Sequence, residues 1–269
     1  MEGAVEFDFF ENLEESVERH FVREFSKSAG WVEPEYLRRS PRRELLIALA
    51  RGDAKMFGAF RRAKLGEGVG GSLLRELTAR GVLEVEHSRE APVRPVPGRP
   101  VRKELRGYRI QDKARFVRPF DRFWFGFVEP YATELEQGRG ERFLENYRQH
   151  RERAASRVFE RLSNELLEDF FAASDPLVSK GSHWDYHSEF DLLARTRSGK
   201  VILGECKYSG RPVCRNELKK LREKAAISGL RVDRFALFSR SGFSRELRES
   251  EENDLLLFTL KDFRSLLEE

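Results

Sequence analysis

Val5, Phe9, Leu13, Val17, Phe21 and Phe25 recur at every fourth position with acidic residues between them, and this spacing predicts an amphipathic helix over 5–27. Residues 42–51 predict a second helix, stopped by Gly52. Residues 53–64 predict a third, with Asp53 as N-cap and Met56, Phe57 and Phe60 inward. Residues 69–80 predict a fourth, with Leu73, Leu74 and Leu77 inward and Gly81 ending it. A strand at 82–86, a Pro- and Arg-rich excursion over 88–103 and a second strand at 105–110 follow. Three short helices and a long-tipped hairpin are the layout of a winged helix, and Arg80-Gly81-Val82-Leu83 suits the step from third helix to wing.

Downstream the pattern changes. Residues 116–128 are dense in aromatic side chains interleaved with arginine. Such a run can stack on bases, but it reads first as a buried helix that docks one domain on another. Residues 134–156 carry many charges and few apolar anchors, as a linker helix does. A helix over 156–171 is expected to bury Val158, Phe159, Leu162, Leu166 and Phe170. Strands are expected at 175–180, 189–195, 200–208, 233–239 and 254–260, and helices at 215–228, 243–252 and 261–268. Two early strands joined by a short turn, and later ones separated by helices, imply a mixed sheet flanked by helices. The expected fold class is therefore α+β/α/β, a helical winged-helix domain followed by a mixed-sheet domain.

Composition narrows the function classes. Hydrophobic residues make up 39% of the 269, with 22 Phe, enough for a packed core. Apolar runs such as Leu255-Leu256-Leu257-Phe258 fall far short of the roughly 20 residues that cross a bilayer. Cys206 and Cys214 cannot staple a chain of this length, and the first residues have no signal-peptide pattern, so a reducing, cytoplasmic setting is expected. The net charge of +4 is unevenly spread: −7 over 1–37, +12 over 38–122 and −1 over 123–269. Separate modules are expected: an acidic amphipathic helix (1–37), the winged helix (38–112), aromatic and charged linker helices (113–155) and the mixed-sheet domain (156–269). A strongly basic module favours an anionic polymer, because neutralised phosphates release counterions. On DNA the third winged-helix helix would enter the major groove, exposing Ser72, Arg75, Glu76 and Ala79, with Arg75 the base reader. Arg61, Arg62 and Lys64 could clamp the backbone, and Arg94, Arg99, Arg102 and Lys103 would arm the wing. The other reading of this unit is a protein–protein adaptor.

The chemistry is concentrated on two strands. Glu205 and Lys207 interrupt the apolar run 200–208 and, two apart, project from one face. Asp191 interrupts the strand before it. A two-residue turn at Ser198-Gly199 would send Asp191 to the opposite face from Glu205. A three-residue loop, Arg197-Ser198-Gly199 with Gly199 left-handed, pairs the two directly. Facing carboxylates repel unless a cation lies between them, so the three-residue loop and a bridging divalent ion are expected.

Asp191 followed by Glu205-x-Lys207 on the next strand resembles the PD-(D/E)xK nuclease motif, and Glu160 on the preceding helix matches an extra acid that many such proteins carry. More narrowly, residues 105–269 resemble the C-terminal region of a prokaryotic P-loop ATPase family, in which an ATPase core precedes a winged helix and a nuclease-like domain. The likeness is carried by Tyr108-Arg109-Ile110-Gln111-Asp112, Phe123-Trp124-Phe125-Gly126-Phe127-Val128, Phe159-Glu160, Glu189-Phe190-Asp191-Leu192-Leu193 and Gly204-Glu205-Cys206-Lys207. No Gly-x-x-x-x-Gly-Lys-Ser/Thr occurs in these residues, so a motor-driven role requires a separate ATPase subunit. The residue before Asp191 is Phe, where many nuclease relatives have Pro.

The resemblance implies a restriction-endonuclease-like fold and Mg2+ (or Mn2+) held by Asp191, Glu205, the backbone carbonyl of Cys206 and Glu160, directly or through water. The metal would polarise a phosphate and activate water, while Lys207 orients that water and offsets developing charge. The expected function is a Mg2+-dependent DNA endonuclease. The alternative is a non-catalytic DNA-binding or regulatory partner of an ATPase with a vestigial site. DNA, an ATPase subunit and a second copy are the candidate partners, with no membrane. The plain structural reading pairs Glu205 with Lys207 on a solvated face and makes Asp191 a turn cap. Three weaker signals remain. His183 and His187 are four apart but lie on a loop or strand, where that spacing does not make a metal pair. Cys206 reads as a buried apolar residue, while Cys214 has Arg211 and Arg215 nearby. Gly66, Gly68, Gly70 and Gly71 precede a helix, but no strand comes before them to make a phosphate loop, and they read as a flexible turn.

Overall fold

The computed structural model describes residues 12–90, 100 and 103–267. The chain forms an N-terminal helical part followed by a mixed β-sheet part, in two compact units: Met1–His87 with Gln111–Arg151, and Ser88–Ile110 with Glu152–Glu269.

The first unit opens with α1 (Leu13–Glu18), capped by Asn12 and Glu15 in a reciprocal capping box. In an α-helix, residues four apart drift by about 40° around the axis, so a strict four-residue stripe cannot stay on one face for long. A π-type turn at Arg19–Arg23, closed by the Glu24 N–H on the Arg19 carbonyl at 2.9 Å, takes up the drift before α2 (Phe25–Ala29). Val17, Phe21 and Phe25 are therefore all buried. Leu13, a full α-turn ahead of the correction, is 52% exposed, contrary to the expected stripe. Val5 and Phe9 lie outside the described residues.

Next come α3 (Arg42–Arg51), α4 (Met56–Arg62) and α5 (Glu67–Ala79), then β1 (Leu83–Glu86) and β2 (Lys113–Phe116), paired antiparallel. The third expected helix begins three residues late. Ala54 is left-handed (φ 65°), Lys55 bridges to Lys113, and the Ala114 N–H donates to the Ala54 carbonyl at 2.9 Å. Asp53 accordingly caps no helix, and its carboxylate pairs with Arg62. The closing strand is 113–116, not 105–110, because its partner is chosen by packing: Leu83 faces Phe116, and both are buried. Gly66 is the N-cap of α5 and the other three glycines lie inside it, so the run is neither turn nor phosphate loop. A Cβ on Gly70 would sit 2.5 Å from the Phe60 ring, so close packing requires this glycine.

The aromatic run forms α6 (Pro119–Phe123) and a π-type turn at Trp124–Val128, followed by α7 (Ala132–Glu136) and the start of α8 (Glu141–Ala172). Phe120, Trp124, Phe125 and Phe143 share one core with Phe21 and Phe25; Phe25 stacks on Trp124 at 5.9 Å. The rings are thus buried, and they build this unit's interior together with the N-terminal helices and α3. Inside it Glu129, 2% exposed, accepts from Trp124 Nε1 (2.7 Å), Arg38 Nε (2.9 Å) and Arg43 Nε (2.8 Å).

In the second unit the strands are β3 (Leu177–Ser179), β4 (His183–Trp184), β5 (Glu189–Phe190), β6 (Leu192–Thr196), β7 (Val201–Lys207), β8 (Arg234–Ser239) and β9 (Leu255–Thr259). Five of them form a sheet in the order β3-β6-β7-β8-β9, and β4 pairs with β5 separately. Pairs β3–β6 and β6–β7 are antiparallel; β7–β8 and β8–β9 are parallel. Helix α9 (Arg215–Ile227) crosses between β7 and β8, and the short α10 (Arg245–Arg248) precedes β9. Alternation along the strands divides the cores. Ile202, Cys206, Ala236 and Phe238 pack with Phe159, Leu166, Leu167 and Phe171 of α8, whereas Leu203, Phe235 and Leu237 pack with Leu218, Leu221 and Ala225 of α9. Val158 and Phe170, expected inside, are each 50% exposed, because the buried face of α8 runs through Phe159, Ser163 and Leu167. Ser163 is tolerated there by donating to the Phe159 carbonyl at 2.7 Å.

Residues 88–110, expected within the winged helix, belong to this second unit. Arg89 donates to the Lys180 carbonyl (3.1 Å), while Glu90 accepts from Tyr108 Oη (2.6 Å) and the Tyr186 N–H (3.1 Å). Among the described residues no helix is long and apolar enough to cross a membrane.

Candidate functional site

The site grows from the β6–β7 hairpin. The Thr196 N–H reaches the Lys200 carbonyl at 2.9 Å, enclosing Arg197-Ser198-Gly199, and Gly199 has φ of 91°. Asp175 pins the loop by accepting the Ser198 N–H at 2.9 Å. This is the three-residue connection that the spacing predicts. Register runs from Arg195–Val201 to Leu192–Gly204, and one step further lie Asp191 and Glu205. The strand breaks at Asp191, between β5 and β6, so its side chain takes the place of a ladder acceptor: Oδ2 receives the Cys206 N–H at 2.8 Å.

Charge is crowded here. Burial, then the carboxylates of Glu205 and Glu160, push the Asp191 carboxyl up to about 7. Glu160 comes from α8, where the Asn164 side chain donates to its carbonyl at 2.9 Å. Glu205, its side chain 12% exposed, holds Lys207 Nζ at 2.6 Å through Oε1. Lys224 Nζ of α9 is 3.9 Å from Oε2, and Oε2 is buried without a hydrogen bond. Lys207 also meets Glu217 at 3.4 Å, and Glu217 meets Lys220 at 2.7 Å. Burial pulls the Lys207 ammonium down, but Glu205, Glu217 and Asp191 outweigh it and hold it above the usual lysine range. The Lys220 hydrogen bond, with the charges of Lys207 and Lys220, holds Glu217 below the usual carboxylate range against the smaller effect of burial.

Among the described residues no group of three or more His, Cys, Asp or Glu side chains is gathered so as to hold a metal ion. The two strand carboxylates do fit a hard divalent cation such as Mg2+ or Mn2+: both are oxygen donors, Asp191 is strained by like charge, and Glu205 Oε2 is unsatisfied. The Cys206 thiol is buried in the core against α8, and burial pushes it well above the usual thiol range.

The other candidates separate. His183 is buried in β4, its Nε2 3.8 Å from Asp185, while His187 is exposed, so the two form no pair. Cys214 is exposed at the start of α9. Arg61, Arg62, Lys64, Arg75 and Lys103 are all exposed; Arg62 is paired with Asp53, and Arg75 donates to Ser72 Oγ at 3.1 Å. Glu76, expected to be open, is gripped by Arg42 at 2.8 Å. Arg94, Arg99 and Arg102 lie outside the described residues. Sequence reasoning missed Glu217 and Lys224; seven apart, they share a face of α9, but nothing local says that this face meets β7.

Comparison with known proteins adds little beyond this. No curated protein matches the chain. A refined half-complex from the tetradecameric assembly of Thermococcus gammatolerans McrB AAA+ hexamers with bound McrC aligns at 13% identity, covering 88% of this chain and 70% of that one, with a TM-score of 0.26, too low to establish a common fold. The model of the family DUF234, described as archaeal and bacterial proteins of unknown function, matches residues 124–223, a span that includes Glu160, Asp191, Glu205 and Lys207.

Proposed function

We propose that this protein is a DNA-binding, regulatory partner of a separate ATPase, built from a winged helix and a restriction-endonuclease-like domain whose acidic site is vestigial. The observation that carries this reading is the state of Glu205, held between the ammonium groups of Lys207 and Lys224. Two tethered cations offset the charge that a divalent ion would otherwise neutralise. A winged helix is supported by the order α3, short extended segment, α4, α5, β1, β2, with the extended segment pairing to β2 at Lys55 and Lys113. Exposed Arg61, Arg62, Lys64 and Arg75 supply its cations for phosphate. The nuclease-like fold is supported by a mixed sheet with α8 on one face and α9 on the other, and by Asp191 and Glu205 one step beyond the paired end of the first hairpin. The ATPase partner rests on the sequence resemblance and the lack of a phosphate-loop motif in these residues.

One observation favours a second reading, a metal-dependent endonuclease: Glu205 Oε2 is buried and unbonded beside a carboxyl raised by burial and by like charge. Asp191 and Glu205 would hold Mg2+ or Mn2+ with the Cys206 carbonyl, and Glu160 would act through water. A bound ion supplies Lewis acidity and a more acidic water. Lys207, fixed by Glu205 and Glu217, offsets negative charge on a phosphate brought to the site.

Incubation of supercoiled plasmid with Mg2+ or Mn2+, alongside a salt-dependent DNA-binding assay, separates the two. The regulatory reading expects binding that weakens with salt and no cutting. Cutting by wild type that is lost in both Asp191→Ala and Lys207→Ala would overturn it in favour of the endonuclease. Cutting that survives both substitutions comes from a contaminant.

A further inference from the structure

We propose that Lys224 is a tethered counter-cation that sets the divalent-ion affinity of the acidic site by occupying the Glu205 Oε2 side. The inference rests on the reading of Asp191 and Glu205 as an acid pair that fits a divalent ion. The two lysines on Glu205 are not equivalent. Lys207 Nζ lies 2.6 Å from Oε1, a hydrogen-bonded ion pair, and is held from its other side by Glu217 at 3.4 Å. Lys224 Nζ lies 3.9 Å from Oε2, within ion-pair range but too far for a hydrogen bond, so it lends charge without satisfying the oxygen.

Its side chain is 42% exposed against 12% for Glu205, so the ammonium can leave for water while the carboxylate cannot. Long lysine stems rotate at little cost, and a loosely held exposed pair is readily exchanged. A divalent ion entering at Oε2 therefore meets a like charge that must withdraw first. Lys219, on the same helix, is 73% exposed and pairs only loosely with Glu223 at 3.9 Å, which makes it a matched control for loss of one positive charge.

The test is Mn2+ binding to the full chain by isothermal titration calorimetry, with thermal unfolding of each metal-free protein to establish folding. Lys224→Ala, and Lys224→Met to retain the stem, are expected to bind Mn2+ at least about tenfold more tightly than wild type, the scale of removing a nearby like charge. Lys219→Ala is expected within about twofold of wild type, because its charge is solvent-screened. The gain is expected to vanish when Glu205→Gln is added to either Lys224 variant. Equal effects of Lys224→Ala and Lys219→Ala, or a gain that persists without the Glu205 charge, overturn the proposal. Absence of Mn2+ binding in wild type and both Lys224 variants overturns the acid-pair reading and this proposal together. The plasmid assay tests the vestigial-site reading separately, since a site can bind the ion and still cut nothing.

Discussion

Asp191 Oδ2 accepts the backbone N–H of Cys206 at 2.8 Å, so a carboxylate crowded by two others also completes the hydrogen bonding of the strand beside it. The acceptor and the charge can be separated by substitution. Asp191→Ala leaves the Cys206 N–H unsatisfied and is expected to be about 1–3 kcal/mol less stable than Asp191→Asn, which loses the same charge. Asp191→Asn keeps an acceptor and removes the repulsion from Glu205 and Glu160. At pH 8 it is expected to be at least as stable as wild type, as urea unfolding would read.

In the first unit the largest single loss is expected at Glu129. Removal of its carboxylate leaves the buried Trp124 Nε1 without its acceptor and takes a partner from Arg38 and Arg43, which keep Glu136 and the Glu129 carbonyl within reach. Glu129→Ala is expected to cost about 3–5 kcal/mol, and Glu129→Gln less, because it still offers one acceptor. Denaturant unfolding followed by tryptophan fluorescence reads this core through Trp31 and Trp124 once Trp184 of the second unit is replaced by Phe.

The glycines of α5 give two expected signs on one helix. Nothing lies within 4 Å of a Cβ at Gly68, so Gly68→Ala is expected to stabilise by about 0.5–1 kcal/mol through helix propensity. Gly70→Ala drives a methyl to 2.5 Å from the Phe60 ring and is expected to destabilise by about 1–3 kcal/mol, with partial rescue by Phe60→Leu. Thermal unfolding of the four proteins checks both signs.

His183 provides a pH dependence. Burial holds its imidazole below the usual histidine range, despite the opposing pull of Asp185. A base whose folded pKa is lowered takes up its proton more readily when unfolded. Its contribution is therefore fully present above the unfolded value, about 6.5, and is lost as pH falls below it. Between about pH 7 and pH 5.5 this loss runs against the gain from protonating Asp191, so it is read as a difference: the melting temperature of His183→Gln is expected to rise relative to that of wild type as pH falls through this window. A constant difference would place the titration elsewhere.

The hairpin chemistry was legible in the residues because its rules are local. Strand period and loop length together set register, so Arg197-Ser198-Gly199 with a left-handed Gly199 leads to Asp191 one step beyond the paired strands, opposite Glu205. Strand positions and the mixed sheet followed from the same short-range patterning. The position of β2 did not, since Leu83 chooses Phe116 across a long excursion and nothing within 105–116 announces the choice. The exposed Val158 and Phe170 make the same point for α8: hydrophobicity marked candidates, and the sheet selected Phe159, Ser163 and Leu167 instead.

What the sequence by itself determined, then, is which groups are available and how neighbours along a strand are phased: Asp191, Glu205 and Lys207, on two strands joined by a short loop. Tertiary structure alone decided what surrounds them. Glu217 and Lys224 reach β7 only because Leu218, Leu221 and Ala225 bury the adjoining side of α9 against Leu203 and Leu237. That rotation is set by packing among residues distant in the chain. It also placed a lysine ammonium, rather than solvent alone, on the Oε2 side of Glu205.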